Sequence, residues 1–429
     1  MAYLSLTAQR NQASSQLSPQ TVFLAPLRNR LMFTFGSSSP IGQHLRRTLN
    51  LASEFGCIST RRVYNSPFIR RAIHNFLIEL IRSTIKPWFG GKPLFMEYRP
   101  LGRTGVQVSV ACFGTMTFGW EPNDWGSYEE TSIKLTDYAI DLGINFFDTA
   151  DVYARGTSEK ILGKALKGGK REKIFLATKC HGKMDDHDPN AWGNSSRHII
   201  EACDASLKRL KTDWIDLYQI HRPQPDIPID ETIRALDDLR RAGKIRYAGC
   251  STFAAWQVCE AHYVAKSLGA AGFVTEQPPY NLLDRRIERE LLPFCRTYNY
   301  GVIPWSPLAG GMLSGKYLDG KADGARYSTS DPAGRLKQVP TQRLLRLKKL
   351  AERLDMSLAK LSLAWVASQP GITSPIIGAR SESQLAESVE ACQTKLSEKT
   401  LKQIDEIFEP GLHHVNYYSS NFGPGARCA

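Results

Sequence analysis

From Glu97 to about residue 408, short apolar runs alternate with segments whose apolar residues recur every three or four positions. The runs fall near 110–114, 144–147, 174–178, 214–220, 245–249, 273–276, 301–305 and 374–377. They are short and nearly continuous, as strands buried on both faces are. Helical periods fall near 130–142, 158–167, 196–210, 231–242, 254–267, 285–297, 341–369, 382–392 and 397–408. Eight such strand–helix units over roughly 300 residues predict an α/β fold, a (β/α)8 TIM barrel. An open doubly wound sheet is the alternative, and it wants a G-x-G-x-x-G loop after the first strand. Phe113-Gly-Thr-Met-Thr-Phe-Gly119 lacks that spacing. Ahead of the first run, Tyr98 to Ser109 reads as two short strands turning at Arg103-Thr-Gly105, an N-terminal β-hairpin.

Charge separates this body, residues 96–410, from what precedes it. Residues 1–95 hold 12 Lys and Arg against two acids, Glu54 and Glu79, whereas the remainder holds 43 against 40. The net charge of +13 therefore belongs mainly to the N-terminal segment and does not make the body a nucleic-acid binder. Residues 1–65 are rich in Ser and Arg and read as a poorly ordered extension. Their composition suits a mitochondrial or plastid transit peptide, and equally a plain extension or sequence upstream of a start at Met96. Without a targeting role, the expected location is cytoplasmic. Ile69, Ile73, Phe76, Leu77, Leu80 and Ile85 recur at helical spacing among arginines. The preferred reading is a helix packing on its own domain, the alternative a basic helix on a membrane surface. Gly90-Gly91 and Pro93 read as a linker.

Nine cysteines without a C-x-x-C pair argue for reduced thiols, against a disulfide framework and against a zinc site. No apolar run approaches the ~18 residues a membrane span needs. The connection 317–340 is long and polar, and the tail 411–429 has no core pattern; such segments at a barrel mouth shape substrate access or are ordinary terminal disorder.

Three strands end abruptly in chemistry-bearing residues. Asn145-Phe-Phe-Asp-Thr-Ala-Asp-Val-Tyr153 delivers Asp148 and Tyr153, Ile174 to Lys179 ends on a lysine, and Trp214 to His221 ends on a histidine. Taken singly, each is more often structural. Together at successive strand C-terminal ends they mark a barrel active site. A free phenol, with a pKa of about 10, is a poor acid at neutral pH, and a nearby ammonium lowers that value. Lys179 supplies the ammonium, and Asp148 keeps it from standing alone in an apolar interior.

The body also carries Gly143-Ile-Asn-Phe-Phe-Asp-Thr-Ala-Asp-Val-Tyr, Ala177-Thr-Lys-Cys, Ser206 to His221, and Gly243-Lys-Ile-Arg-Tyr-Ala-Gly-Cys-Ser. Further on come Glu276-Gln-Pro-Pro-Tyr-Asn-Leu-Leu, Trp305 to Tyr317, and Pro375-Ile-Ile-Gly-Ala-Arg-Ser-Glu-Ser-Gln-Leu-Ala-Glu-Ser. In this order it resembles the aldo-keto reductase superfamily, in the branch of bacterial general reductases and potassium-channel β subunits. The resemblance implies a barrel that carries NADPH across its strand ends and reduces a small-molecule carbonyl, aldehyde or ketone, to the alcohol. It makes Asp148, Tyr153, Lys179 and His221 a catalytic tetrad, with Tyr153 as proton donor and His221 orienting the carbonyl. It puts Ser251 and Gln277 on the carboxamide and Trp305 against the nicotinamide. Ser306, Leu308, Gly310 and Lys316 fall in the pyrophosphate loop, and Gly378, Arg380, Ser381, Gln384 and Glu387 around the adenosine. An arginine fork there suits a 2′-phosphate. Two positions depart from the family: Thr252 and Ser388 stand where Asn is usual. The resemblance also carries a second expectation, a redox-sensing regulatory subunit of a membrane partner with slow turnover. Trp120, Trp125, Trp192, Tyr417 and Tyr418 are candidate walls of an apolar substrate pocket. Cys180 and Cys250 read as small core residues.

Overall fold

The computed structural model describes residues 96–120, 126–318, 326–327, 331 and 334–416, together with the backbone of two short strands nearer the N-terminus. The chain divides into two compact units, Met1–Thr84 and Ile85–Ala429. In the first, β1 (Thr21–Leu24) pairs antiparallel with β2 (Leu31–Thr34), a pairing that the sequence pattern did not signal. The transit-like composition, the helical period at 67–89 and the linker fall outside the described residues.

The second unit opens with the expected hairpin, β3 (Tyr98–Pro100) antiparallel to β4 (Gln107–Ser109). Eight parallel strands follow: β5 (Cys112–Gly114), β6 (Phe146–Asp148), β7 (Phe175–Cys180), β8 (Ile215–Ile220), β9 (Ile245–Ser251), β10 (Phe273–Gln277), β11 (Gly301–Val302) and β12 (Ile376–Ile377). They lie in the order β11-β10-β9-β8-β7-β6-β5-β12. A parallel bridge between Val302 and Ile372, and the Ile376 N–H donating to Pro304 O at 2.8 Å, join the two ends of that order. The sheet thus curls into the (β/α)8 architecture.

The helices are α1 (Glu129–Asp141), α2 (Thr157–Ala165), α3 (Ser196–Leu210), α4 (Ile229–Arg241), α5 (Ala255–Leu268), α6 (Leu291–Thr297), α7 (Arg335–Gln338), α8 (Thr341–Arg353), α9 (Leu358–Ser368), α10 (Glu382–Gln393) and α11 (Glu398–Asp405). Serines start four of them: Ser195, Ser357, Ser381 and Ser397 each accept from a backbone N–H three residues on. The single helical period at 341–369 resolves into α8 and α9. Asp355 is left-handed there and Ser357 caps a new start, so the apolar period runs through a break.

Two cores result from strand alternation. Phe147, Leu176, Tyr218 and Ile220 face the helices, while Phe146, Phe175, Ala177 and Leu217 fill the barrel. Leu101 and Val108 of the hairpin join the inner cluster with Ile303, plugging its lower end. Phe146 and Phe175 meet edge to face at 5.5 Å. On the same alternation, Asp148, Lys179 and Gln219 continue the inward rows above this floor. Register places Lys179 level with Gln219, and Gln277 level with Ser251.

Among the described residues no helix is long and apolar enough to cross a membrane, and no His, Cys, Asp and Glu group has the arrangement of a metal site.

Candidate active site

Lys179 is fully buried and aims all three of its hydrogens. It donates to Asp148 Oδ1 at 2.6 Å, to Thr149 O at 2.7 Å and to Tyr153 Oη at 3.2 Å. Burial works against its charge, but Asp148 and then Tyr153 outweigh it, and its pKa lies above the ordinary lysine range. The second oxygen of Asp148 accepts from Gln277 Nε2 at 2.8 Å and Gln219 Nε2 at 3.2 Å. The buried pair therefore has its lone pairs and protons met, the condition under which such a pair is tolerated. Because Tyr153 Oη accepts from Lys179, the phenol's own hydrogen is left to donate elsewhere.

His221 stands edge to face with the Tyr153 ring at 5.8 Å. Burial, then the neighbouring Arg222 and Lys179 cations, hold its pKa well below the histidine range. It is a neutral imidazole at physiological pH. The loop after Tyr153 is strained: Ala154 and Arg155 have φ of +46° and +49°. Arg155 reaches Asp186 at 3.1 Å, tying this loop to the one after β7.

The remaining sequence candidates fall along the same strand ends and the loops that follow. Ser251 donates to Gln277 O at 2.8 Å. Trp305 is partly buried, with the Arg222 guanidinium 5.9 Å from its ring centre. Ser306 has φ of +53° and accepts at its carbonyl from Asn281 at 3.1 Å. Leu308 packs against the main core, and a side chain at Gly310 would strike the Tyr327 hydroxyl at 2.6 Å. A side chain at Gly311 would strike Lys316 Cε at 2.6 Å, so the lysine lies directly over a bare stretch of backbone. Burial and then the Arg380 charge lower the Lys316 pKa, which puts two cations in one field. Gly378 is exposed, with open space beside it. Ser381 caps α10, accepting from Gln384 N at 3.3 Å, while Gln384 Oε1 accepts from Arg380 N at 3.0 Å. Glu387 is already engaged, accepting from Ser357 at 2.6 Å. Trp192 is 45% exposed and leans on His181, and Trp120 donates to Met116 O at 2.7 Å. Trp125, Tyr417, Tyr418 and most of the connection at 319–333 lie outside the described residues. The tail begins as structure: His413 bridges to Asp284 and Val415 is buried. Cys180 and Cys250 are fully buried, which holds their thiols well above the ordinary range.

Three residues that the sequence reading did not single out complete the site. Gln219 lies two residues before His221, on the same inward row, and a polar residue on a buried strand face was the available signal. Arg222 follows His221 and donates to Thr252 Oγ1 and to His221 O, both at 2.8 Å. Asp151 is fully buried, with Oδ1 accepting from Val152 N at 2.6 Å and Oδ2 without a partner among the described residues. Burial, then the Glu159 charge, push its pKa up to about 8.

The strand ends of a parallel barrel thus gather a buried acid–lysine pair, a tyrosine and a neutral histidine, groups able to move a proton. The profile of the Aldo/keto reductase family matches residues 111–409. The chain is 41% identical over 327 residues to the "Uncharacterized oxidoreductase YrpG" of Bacillus subtilis (strain 168), covering 74% of this chain and 97% of that protein. It is 38% identical to the "Putative voltage-gated potassium channel subunit beta" of Schizosaccharomyces pombe, over 74% of this chain and 94% of the relative. It is 34% identical to the versiconal hemiacetal acetate reductase of Aspergillus parasiticus, over 74% and 99%. The chain belongs to the aldo/keto reductase family, a family of oxidoreductases that work with nicotinamide cofactors.

Proposed function

We propose that this protein is an NADPH-dependent carbonyl reductase, converting an aldehyde or ketone to the alcohol and reversible in principle. The observation that carries the reading is the direction of the hydrogen bonds at Tyr153. Lys179 gives its hydrogen to the phenol oxygen at 3.2 Å, and the phenol keeps its own to give away.

The residues fit the cofactor. Lys316 and Arg380 share one field, Ser381 caps the start of α10, and helix N-termini favour phosphate. Arg380 and Lys316 would hold the phosphates, Ser381 and Gln384 the adenosine end, Trp305 the nicotinamide face, and Ser251 with Gln277 its carboxamide. Ser306, Leu308, Gly310 and Gly378 would line the track, and Glu387, held by Ser357, would border it. When bound, the cofactor supplies the hydride that reaches the carbonyl carbon. Tyr153 delivers the proton to the carbonyl oxygen. Lys179 stabilises the charge left on the phenol, and Asp148 fixes Lys179 against it. His221, being neutral, hydrogen-bonds the carbonyl oxygen without adding a competing charge.

The test is NADPH oxidation by the full chain against aldehydes, ketones and quinones, with NADPH binding followed by fluorescence. Tyr153→Phe is expected to bind NADPH as wild type does and to lose about 100-fold or more in kcat. A second reading is a redox-sensing subunit of a membrane partner, and the likeness to the fission-yeast protein named as a potassium channel subunit beta favours it. Tight NADPH binding by wild type with no useful turnover of any carbonyl would favour that reading and sink the reductase.

A further inference from the structure

We propose that the outward face of α8 is a docking surface for an anionic lipid bilayer. The inference does not depend on what the barrel mouth does. From Arg335 to Arg353 the chain holds seven Lys and Arg against one acid, Glu352, whereas the rest of residues 96–429 holds 36 against 39. A body that is slightly acidic elsewhere thus concentrates its positive charge on α7 and α8.

Helical spacing decides where that charge points. Leu344, Leu347, Leu350 and Ala351 are buried against the barrel. Gln342, Leu345, Arg346, Lys349 and Arg353 fall on the opposite side at steps of three and four, and all five are exposed, with exposed Lys348 flanking them. Lys348, Lys349 and Arg353 make no ion pair among the described residues, and Arg346 gives one hydrogen to Glu406 O at 3.4 Å. Other outer helices are built differently. On α4, Arg234 pairs with Asp230, and Arg240 and Arg241 both pair with Asp237. On α8 the neighbours of Lys349 at those spacings are Arg346 and Arg353, which repel it. No acid stands in the first turn to offset them. An anionic plane laid on this face relieves the repulsion.

Shape and the one apolar residue select the partner. The row is convex and runs about 10 Å from Arg346 to Arg353, so it suits an extended surface and not a pocketed ion. Cores of protein interfaces are rich in aromatic residues and poor in lysine, and this row holds no aromatic side chain. Leu345, 37% exposed, stands within it. The phosphates of a duplex would meet the cations and leave that leucine in water. A bilayer takes it into the headgroup layer, while the Lys and Arg stems lie alongside with their charges at the phosphates. The helix cannot enter further, because the barrel occupies its apolar face. The attraction is therefore electrostatic, reversible and weakened by salt.

The experiment is co-sedimentation of the full chain with phosphatidylcholine vesicles, with and without phosphatidylserine, over a range of salt. Wild type is expected to bind only the vesicles with phosphatidylserine, and less as salt rises. Neutralising Arg346, Lys349 and Arg353 together, each to Gln, is expected to weaken binding about a hundredfold, roughly fivefold per charge. The melting temperature should hold or rise, since like charges are removed. Neutralising three exposed lysines between β6 and β8, Lys167, Lys173 and Lys208, changes net charge equally and is expected to cost less than about fivefold. Leu345→Ala is expected to weaken binding severalfold at every salt concentration. Should the triple variant not fold, Lys349→Gln alone is expected to lose about fivefold. The proposal is overturned if wild type does not bind phosphatidylserine vesicles, or if the α8 variants bind as wild type does, which would put the attraction in the N-terminal segment. It is also overturned if the two triple variants lose equally, or if duplex DNA binds more tightly than the vesicles and is released by the α8 variants.

Discussion

The two ends of the strand-end track are built in opposite ways. At the tyrosine end, Asp148, Lys179, Gln219 and Gln277 are buried on strands and bonded to one another. At the Arg380 end, Lys316, Gln384 and Glu387 are exposed and stand on a loop or an outer helix. On the proposed function, the first arrangement fixes the distances that proton transfer would require. The second presents charge to water, where a phosphate can exchange its hydration for a guanidinium fork. On that reading, precision would come from strands closing on an apolar floor, and affinity from loops and one helix N-terminus.

The comparison can be broken most forcefully at Asp148. Asp148→Asn leaves Lys179 buried without its counter-charge, and a loss of about 3–5 kcal/mol is expected in denaturant unfolding. A loss no larger than that of an exposed pair, under about 1 kcal/mol, would put the tyrosine end on the same footing as the surface. At the other end Arg380→Ala should weaken NADPH about ten- to hundredfold while leaving NADH affinity and the melting temperature alone, read by titration and thermal melts. Equal losses for both cofactors would mean that Arg380 does not read the 2′-phosphate.

Asp151 gives a smaller effect with a definite sign. Its folded pKa, about 8, stands above the usual 3.8. The unfolded chain releases this proton from about pH 4 upward, while the folded chain keeps it to about pH 8. The contribution to stability is full in acid and is lost as pH rises through that window. Melting temperature should therefore fall less steeply between about pH 5 and 8 in Asp151→Asn than in wild type. The slope is not expected to vanish, because Glu276 is also raised to about 8. Smallest is Ala154→Gly, which relieves a left-handed alanine and is expected to add up to about 1 kcal/mol of stability with unchanged turnover. A destabilised variant would show that the methyl group packs usefully.

Much of this was legible beforehand because strand ends in a barrel announce themselves. Asp148, Lys179 and His221 each interrupt an apolar run at its C-terminal edge, and a period of two carries the eye to them. The eight strands and the hairpin lie where the runs predicted them, give or take a few residues at the edges. Gln219 was missed because it is a neutral residue inside a run, with no charge to demand a partner. Arg222 was missed because its partner, Thr252, is supplied by a different strand end 30 residues on, and no local spacing encodes a contact across two strands. The break between α8 and α9 was hidden for a related reason: both helices turn apolar residues to the same core, so the period survives the interruption. Where the structure depends on long-range hydrogen bonds, the one-dimensional pattern carries no trace of it.

The plug at the base of the barrel bears on how a proton would reach the proposed acid. Beneath Lys179 lie Phe146, Phe175, Ala177 and Leu217, and beneath them Leu101 and Val108. These side chains are all hydrocarbon, and the protic groups nearby are the buried Cys112 thiol and Thr275 hydroxyl. On the reductase reading proposed above, the apolar floor makes the open mouth the direct way to return a proton to Tyr153 after each turnover. On that reading, recharging the acid and clearing the product would share one doorway.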